Sequence, residues 1–347
     1  MTRTNHNNNP PLGQENPPQG EAEAIQRTLE MFEAQLRRAY PAGTPALRGQ
    51  HAKTVGCLRA EFIVPELPTD IRVGIFKSPR TYPAWIRFSN GSDKVQADTK
   101  PDVRAMAIKL LDVPGDKVLD EEKDATTQDL ILANTPALFA RDALEICEFT
   151  RRASGGALLG FFLGLNPFKW RLRGLVNLLS SVLARVANPL GIEYWSQTPY
   201  AFGSRAVKYK VVPQRPGDAY AKAARGPNYL RQAMVSHLAE AGADFDFLVQ
   251  FQLNPQKQPV EDAARPWKER EAPFLKVATI RIGSQRFDTD ERDRFAEALS
   301  YNPWHSLSEH RPLGGINRTR KAVYLAISRL RHEHNGIPRR EPTADQR

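Results

Sequence analysis

The chain has 347 residues, 41% hydrophobic and 25% charged, which is ordinary for a globular protein with ample core and excludes a disordered or fibrous chain. Its two cysteines, Cys57 and Cys147, are too few for a disulfide framework or a cysteine-built zinc or iron–sulfur centre, and they suggest a reducing compartment. The net charge of +10 invites an anionic partner, but no nucleic-acid motif and no aromatic-interleaved basic run accompanies it, so no nucleic acid is expected.

Residues 1–20 are polar, rich in Asn, Pro and Gln, and read as a loose tail with no apolar leader. Ile25, Leu29, Phe32 and Leu36 then recur at helical spacing, predicting an amphipathic helix over 21–40 that Pro41 and Gly43 end. From His51 the period changes to two. Strands are predicted over 51–64, 71–77, 84–90, 103–112 and 129–133, with Pro65, Pro68, Pro79 and Pro83 between them. A helix is predicted over 136–152.

Residues 156–192 have a different character. An apolar stretch too short to span a bilayer leads into a basic amphipathic helix over 169–187, with Leu172, Leu175, Leu179 and Leu183 on one stripe. Such a helix either packs within the domain or rests on a membrane surface. No run of about 18 apolar residues exists anywhere, so no spanning helix is expected. The expected location is cytoplasmic, with peripheral membrane contact through 156–192 as an option.

Strands return over 205–212, 245–253 and 274–282, and helices over 229–241, 288–300 and 317–333. Residues 337–347 read as a loose basic tail, leaving one domain over 21–336. Eight short strands are the fewest that close with room for side chains or one small ligand, so the expected class is α+β, an antiparallel barrel wrapped by helices.

Two stretches carry candidate chemistry. In Arg48-Gly49-Gln50-His51 a histidine opens the first strand, with an arginine three residues upstream. It reads either as a reactive imidazole with Arg48 beside an anionic ligand, or as a surface or satisfied core residue. On the last helix Arg320, Tyr324 and Arg331 fall at i, i+4 and i+11, on one face. A tyrosine ligates ferric iron only as phenolate, whose free pKa is about 10. A guanidinium one turn away favours that anion.

Together these stretches resemble the haem catalase superfamily, in particular its short catalase-related peroxidases. The resemblance rests on Arg48 with His51-Ala52-Lys53, on Arg87-Phe88-Ser89, and on Asp102-Val103-Arg104-Ala105-Met106-Ala107-Ile108-Lys109. It continues through Asp129 to Asp142, with Asn134-Thr135-Pro136 and Leu138-Phe139 inside that run, and ends on Arg320, Tyr324 and Arg331. The matches keep the family's order and cover roughly 45–150 and 317–331. The resemblance implies an eight-stranded barrel and haem b as cofactor. It implies His51 as acid and base, Ser89 setting its tautomer, and Asn134 assisting. Tyr324 would be the iron ligand, and Arg48, Arg87, Arg331, Arg320 and Phe139 the other haem-binding residues. The implied substrate is hydrogen peroxide, decomposed or used to oxidise a small organic donor, in a protein that can form oligomers. Two alternatives stay open: rearrangement of lipid hydroperoxides, as in catalase-related allene oxide synthases, and a non-catalytic haem-binding protein of the membrane surface.

The chain departs from the family where the first of two asparagines would stand, at Ala133, and where Leu325-Ala326 replaces Pro-Asp. The histidine pairs His305 and His310, and His332 and His334, lack a carboxylate cluster to complete a metal site. Cys57 reads as a small core residue, Trp267 and Trp304 as packing groups, and Glu261-Asp262 as a loop or salt-bridge pair.

Overall fold

A computed structural model describes residues 11–164, 166–216 and 226–343. The alternating run after Lys53 forms β1 (Thr54–Val64), followed by β2 (Arg80–Asn90), β3 (Arg104–Leu110) and β4 (Gln128–Ala133) in an antiparallel meander. Two short strands come next, β5 (Tyr194–Trp195) and β6 (Tyr200–Phe202). Then β7 (Arg205–Pro213), β8 (Ala243–Phe251) and β9 (Phe274–Ile282) form a second meander, and β9 pairs with β1. β5 bridges β4 to β7 and closes the ring, while β6 lies outside it on β7.

Eight strands close the barrel, as the sequence predicts, but one of the eight is different. Residues 71–77 are not a strand. They lie in and between two 3₁₀ turns, Thr69–Ile71 and Gly74–Phe76. Gly74 sits at φ 54°, and a Cβ there would come 2.3 Å from the His310 ring. Only glycine lets the chain turn this sharply against the imidazole. The apolar run is buried because the turn plugs the barrel: Phe76 packs on Phe62, Phe202 and Phe247. The two-residue β5 takes the eighth place.

The inward residues of every strand fill the barrel, among them Leu58, Ile86, Met106, Leu130 and Val249. Its interior is therefore packed core, with the outward positions left for function.

The helices are α1 (Glu21–Ala39), α2 (Ala143–Ser154), α3 (Leu159–Phe162), α4 (Leu172–Val182), α5 (Tyr229–Glu240), α6 (Asp290–Ala298) and α7 (Gly315–Asn335). α2 begins later than predicted because Asp142 caps it, its carboxylate accepting from the Glu145 N–H at 3.0 Å. Ahead of the cap, Leu138 N–H donates to the Ala263 carbonyl at 2.9 Å.

Of the expected loose tails, residues 1–10 and 344–347 lie outside the described residues. The rest of both tails is tied down. Glu15 pairs with Arg311 and Arg318, and Glu341 reaches buried Lys109 at 2.7 Å, where Asp129 also pairs at 2.7 Å.

His310 gives the fold a pH dependence. It is buried between Phe76 and Phe202, and its Nε2 accepts from the Ile75 N–H at 3.1 Å. Protonation there would set two N–H groups against each other. Burial lowers its pKa from 6.5 to about 4. A histidine depressed in the fold contributes stability that is complete above pH 6.5 and is lost as pH falls toward 4. The loss should be on the order of 3 kcal/mol. Thermal melts of the wild type and His310→Gln from pH 7 to 4 test this. The wild-type curve should fall more steeply, and parallel curves would refute the assignment.

Candidate functional site: a cavity between barrel wall and α7

A cavity of about 290 Å³ lies outside the barrel, between its wall and α7. Its floor is made by outward residues of three adjacent strands: Arg87 and Ser89 of β2, Ala105 and Ala107 of β3, and Ile131 of β4. Alanine side chains end at Cβ, so the floor stays low where a larger residue would fill the gap. The facing wall is one side of α7, with Thr319, Arg320, Val323, Tyr324, Ile327 and Arg331. Leu138, Phe139, Ile146 and Phe32 also line it, as do residues 48–51. The loop approaches α7 closely at Gly49, where a Cβ would meet Ile327 at 3.3 Å.

His51 belongs to this loop and not to β1, which starts at Thr54. Its backbone is left-handed, φ 58°, unusual for a residue with a Cβ. Three hydrogen bonds hold it there. The His51 N–H donates to the Gly91 carbonyl at 3.1 Å, the Ala52 N–H to the Ser92 carbonyl at 3.1 Å, and Arg87 donates to the His51 carbonyl at 2.8 Å. The ring's Nδ1 lies 3.2 Å from the Ser89 hydroxyl. Burial first, then the charges of Arg87, Arg320 and Arg48, lower its pKa to about 3. The imidazole is therefore neutral at physiological pH, and Ser89 fixes its orientation.

Three arginines, Arg48, Arg87 and Arg331, line the cavity, and behind them all three approach a carboxylate with no local signal in the sequence, Glu297 of α6, which is not itself a lining residue. Glu297 lies 2.9 Å from Arg48 and 4.0 Å from both Arg87 and Arg331. Arg48 also donates to the carbonyls of Ala296 and Leu299 at 2.7 and 2.6 Å. The depressed pKa values of Arg87 and Arg331, each about 9, come chiefly from burial, with Arg48 adding repulsion. Within this cluster three positive charges meet one negative, leaving two for a ligand's carboxylates. Glu297 was not legible because its importance arises only from contacts made across some 200 residues or more of chain with Arg48 and Arg87.

The remaining predicted residues divide. Tyr324 lines the cavity, and its phenol makes no hydrogen bond among the described residues. Arg320 lines it too, but donates to Thr198 at 3.1 Å and Asn317 at 3.3 Å rather than to Tyr324. Phe139 lines it and packs against Phe149 with ring centroids 4.1 Å apart. Asn134 is the exception. It follows β4, and its amide is engaged elsewhere, accepting from the Arg104 N–H at 3.0 Å and donating to the Ser181 carbonyl at 3.0 Å. Tyr301, which carries no local signal in the sequence, lines the cavity with a buried hydroxyl that has no hydrogen-bond partner among the described residues.

Two surplus guanidinium charges, an unpartnered buried hydroxyl and walls of alanine, valine, isoleucine and phenylalanine suit an apolar group carrying two carboxylates. A histidine and a tyrosine face the space where such a group would lie. The residues present therefore fit haem. No group of three or more His, Cys, Asp or Glu among the described residues could hold a metal ion directly.

The architecture is catalase-like. The structure matches a fungal catalase (TM-score 0.61, 16% identity, 94% of this chain and 65% of the other). It matches catalase A from Saccharomyces cerevisiae (0.63, 18%, 95% and 70%) and a bacterial catalase (0.58, 15%, 99% and 69%). The likeness runs along nearly the whole chain, which spans about two thirds of the length of each, and at these identities it establishes the fold. No family model and no curated protein matches the sequence.

Proposed function

We propose that the chain binds haem b in this cavity and consumes hydrogen peroxide, by decomposing it or by using it to oxidise a small organic donor. The observation that carries the reading is one cavity lined by a Ser89-oriented neutral imidazole, by a tyrosine on the facing helix, and by three arginines for one carboxylate. Bound there, haem would supply the iron redox chemistry that splits the O–O bond.

Tyr324 would ligate the iron as phenolate. Arg48, Arg87 and Arg331 would pair with the two propionates, which are otherwise costly buried anions. Phe139 would pack on the ring. His51 would take a proton from one peroxide oxygen and return it to the other as water leaves. Ser89 would keep the same ring nitrogen facing the substrate throughout. The propionates would also neutralise two of the charges that depress His51, so its pKa should rise toward a value better suited to proton transfer. Asn134, with its amide engaged elsewhere, is given no part in this scheme.

The test is an absorption spectrum of the purified protein with added haem, before and after peroxide. A high-spin ferric Soret band that responds to peroxide, with oxygen release or donor oxidation, is the expected result. A Soret band that keeps the position and breadth of free haem at stoichiometric haem would overturn the proposal. A second reading, turnover of lipid hydroperoxides, draws on the apolar side of the cavity, Leu138, Phe139 and Ile146. Parallel rates with hydrogen peroxide and a fatty-acid hydroperoxide separate the two.

A further inference from the structure

The segment over 156–192 has two distinct faces. α3 and α4 turn Phe161, Phe162, Leu175 and Leu178 inward onto Leu138, Phe139, Ile146 and Phe149. Polar contacts fix that orientation. Asn177 donates to the carbonyls of Leu138 and Ala264 at 2.8 and 2.9 Å. Arg171 reaches Glu145 at 3.0 Å and Glu148 at 2.7 Å. Gly174 lies so close to the Phe139 carbonyl that a Cβ would come within 2.1 Å of its oxygen. The helix cannot roll without breaking these contacts, so its other side must face outward.

That outer side is apolar. Leu172, Val176, Leu179 and Leu183, at i, i+4, i+7 and i+11, are 54, 63, 43 and 59% exposed. Leu159, Phe168 and Trp170 extend the patch at 64, 97 and 44%. Of the 14 exposed large hydrophobic residues among those described, eight fall within 158–183. Scattered exposed apolar residues need no explanation, but a concentration of this kind does.

The charge the segment itself carries is of one sign, although Arg152 and Arg171 pair with carboxylates of α2. Between Glu148 and Glu193 the sequence has no acidic residue, but it has Arg151, Arg152, Lys169, Arg171, Arg173 and Arg185. Lys169, Arg173 and Arg185 are exposed, Arg173 lying 3.6 Å from Asp262. Among the described residues no helix is long and apolar enough to cross a membrane, so any lipid contact is made from the surface.

We propose that this face docks the protein on an anionic lipid bilayer, with Phe168, Trp170 and the α4 stripe entering the interface and the basic residues meeting lipid phosphates. Aromatic residues at the rim and cations around an apolar face are what such a surface selects. A second copy of the chain fits less well, because a two-fold contact would set like charges against each other. Docking does not depend on what the cavity does, and the inner side of the same segment backs the cavity-lining Leu138, Phe139 and Ile146.

Flotation of the full chain with phosphatidylcholine vesicles, with and without phosphatidylglycerol, tests the proposal. Binding should require the anionic lipid and weaken as salt rises. The double variant Phe168→Asp with Val176→Asp should bind roughly tenfold or more weakly, from lost apolar burial and added repulsion, with its far-ultraviolet dichroism and melting unchanged. Three results would overturn it: no flotation at low salt, undiminished binding by the folded variant, or a wild-type dimer that the variant splits while neither form binds vesicles.

Discussion

His51→Ala is expected to leave haem uptake unchanged and to lower peroxide turnover by about 10²–10⁴-fold, the usual worth of a positioned acid–base group. The two effects separate because His51 holds its place from the loop, independently of the arginines that would grip the cofactor. Its ring donates nothing to Arg48 or Arg331; Arg87 contacts only the His51 carbonyl, which alanine retains. The left-handed backbone at φ 58° is held by three hydrogen bonds to backbone groups that alanine retains, so the loop should survive the change. Ser89→Ala should reduce turnover less, about tenfold, because the imidazole remains and only the group orienting Nδ1 is lost. Turnover by the haem-loaded variants, with the Soret band as the control for loading, decides the matter. Undiminished rates in His51→Ala would remove this residue from the mechanism.

Much of this architecture was legible because alternation and helical spacing report which faces are buried. The strands over 205–212 and 274–282 were placed to within a residue at each end, since their inward faces pack a closed core. The strand over 71–77 failed for the complementary reason. Ile75 and Phe76 are buried because a turn plugs the barrel, and burial without alternation imitates a strand. β5 escaped because two residues carry no period; only closure of the ring makes Tyr194–Trp195 a strand. The eight-strand expectation left open whether a ligand would sit inside the barrel. The interior is filled, and the small outward residues Ala105 and Ala107, with Arg87 and Ser89 beside them, leave the space outside it.

Within the candidate site, local spacing placed Arg320, Tyr324 and Arg331 on one face of α7, and all three line the cavity. Partners set by distant chain were not legible. Arg48, Arg87 and Arg331, expected to pair with a ligand's carboxylates, share Glu297, and Arg320 is engaged with Thr198. Asn134 shows how finely such matches depend on register. Ala133 ends β4 on the outward side, paired with Ala105, and the next residue bonds to Ser181 and Arg104. The catalase-like fold thus carries a cavity that His51 and Ser89 line, with the amide of Asn134 bonded elsewhere.

Tyr324→Phe is expected to have the other large effect, on the cofactor rather than on proton transfer. A phenol with a free pKa of about 10 stays protonated at neutral pH unless a cation stabilises its anion. In the cavity that cation would be the ferric iron. Tyr324 makes no hydrogen bond to other described residues, so phenylalanine should fit with little disturbance of the fold. Val323 and Ile327 on the same face would still pack, and Arg48, Arg87 and Arg331 would still hold two carboxylates. Haem should therefore still enter the variant, but more weakly, and its charge-transfer absorption should change as the phenolate ligand is lost. Arg331→Leu should speed haem loss while leaving the ligand spectrum as it is, because it acts on a carboxylate and not on the iron. Equal spectra and equal haem-loss rates for wild type and Tyr324→Phe would mean that the iron ligand lies elsewhere, and that the facing positions of His51 and Tyr324 do not define the site.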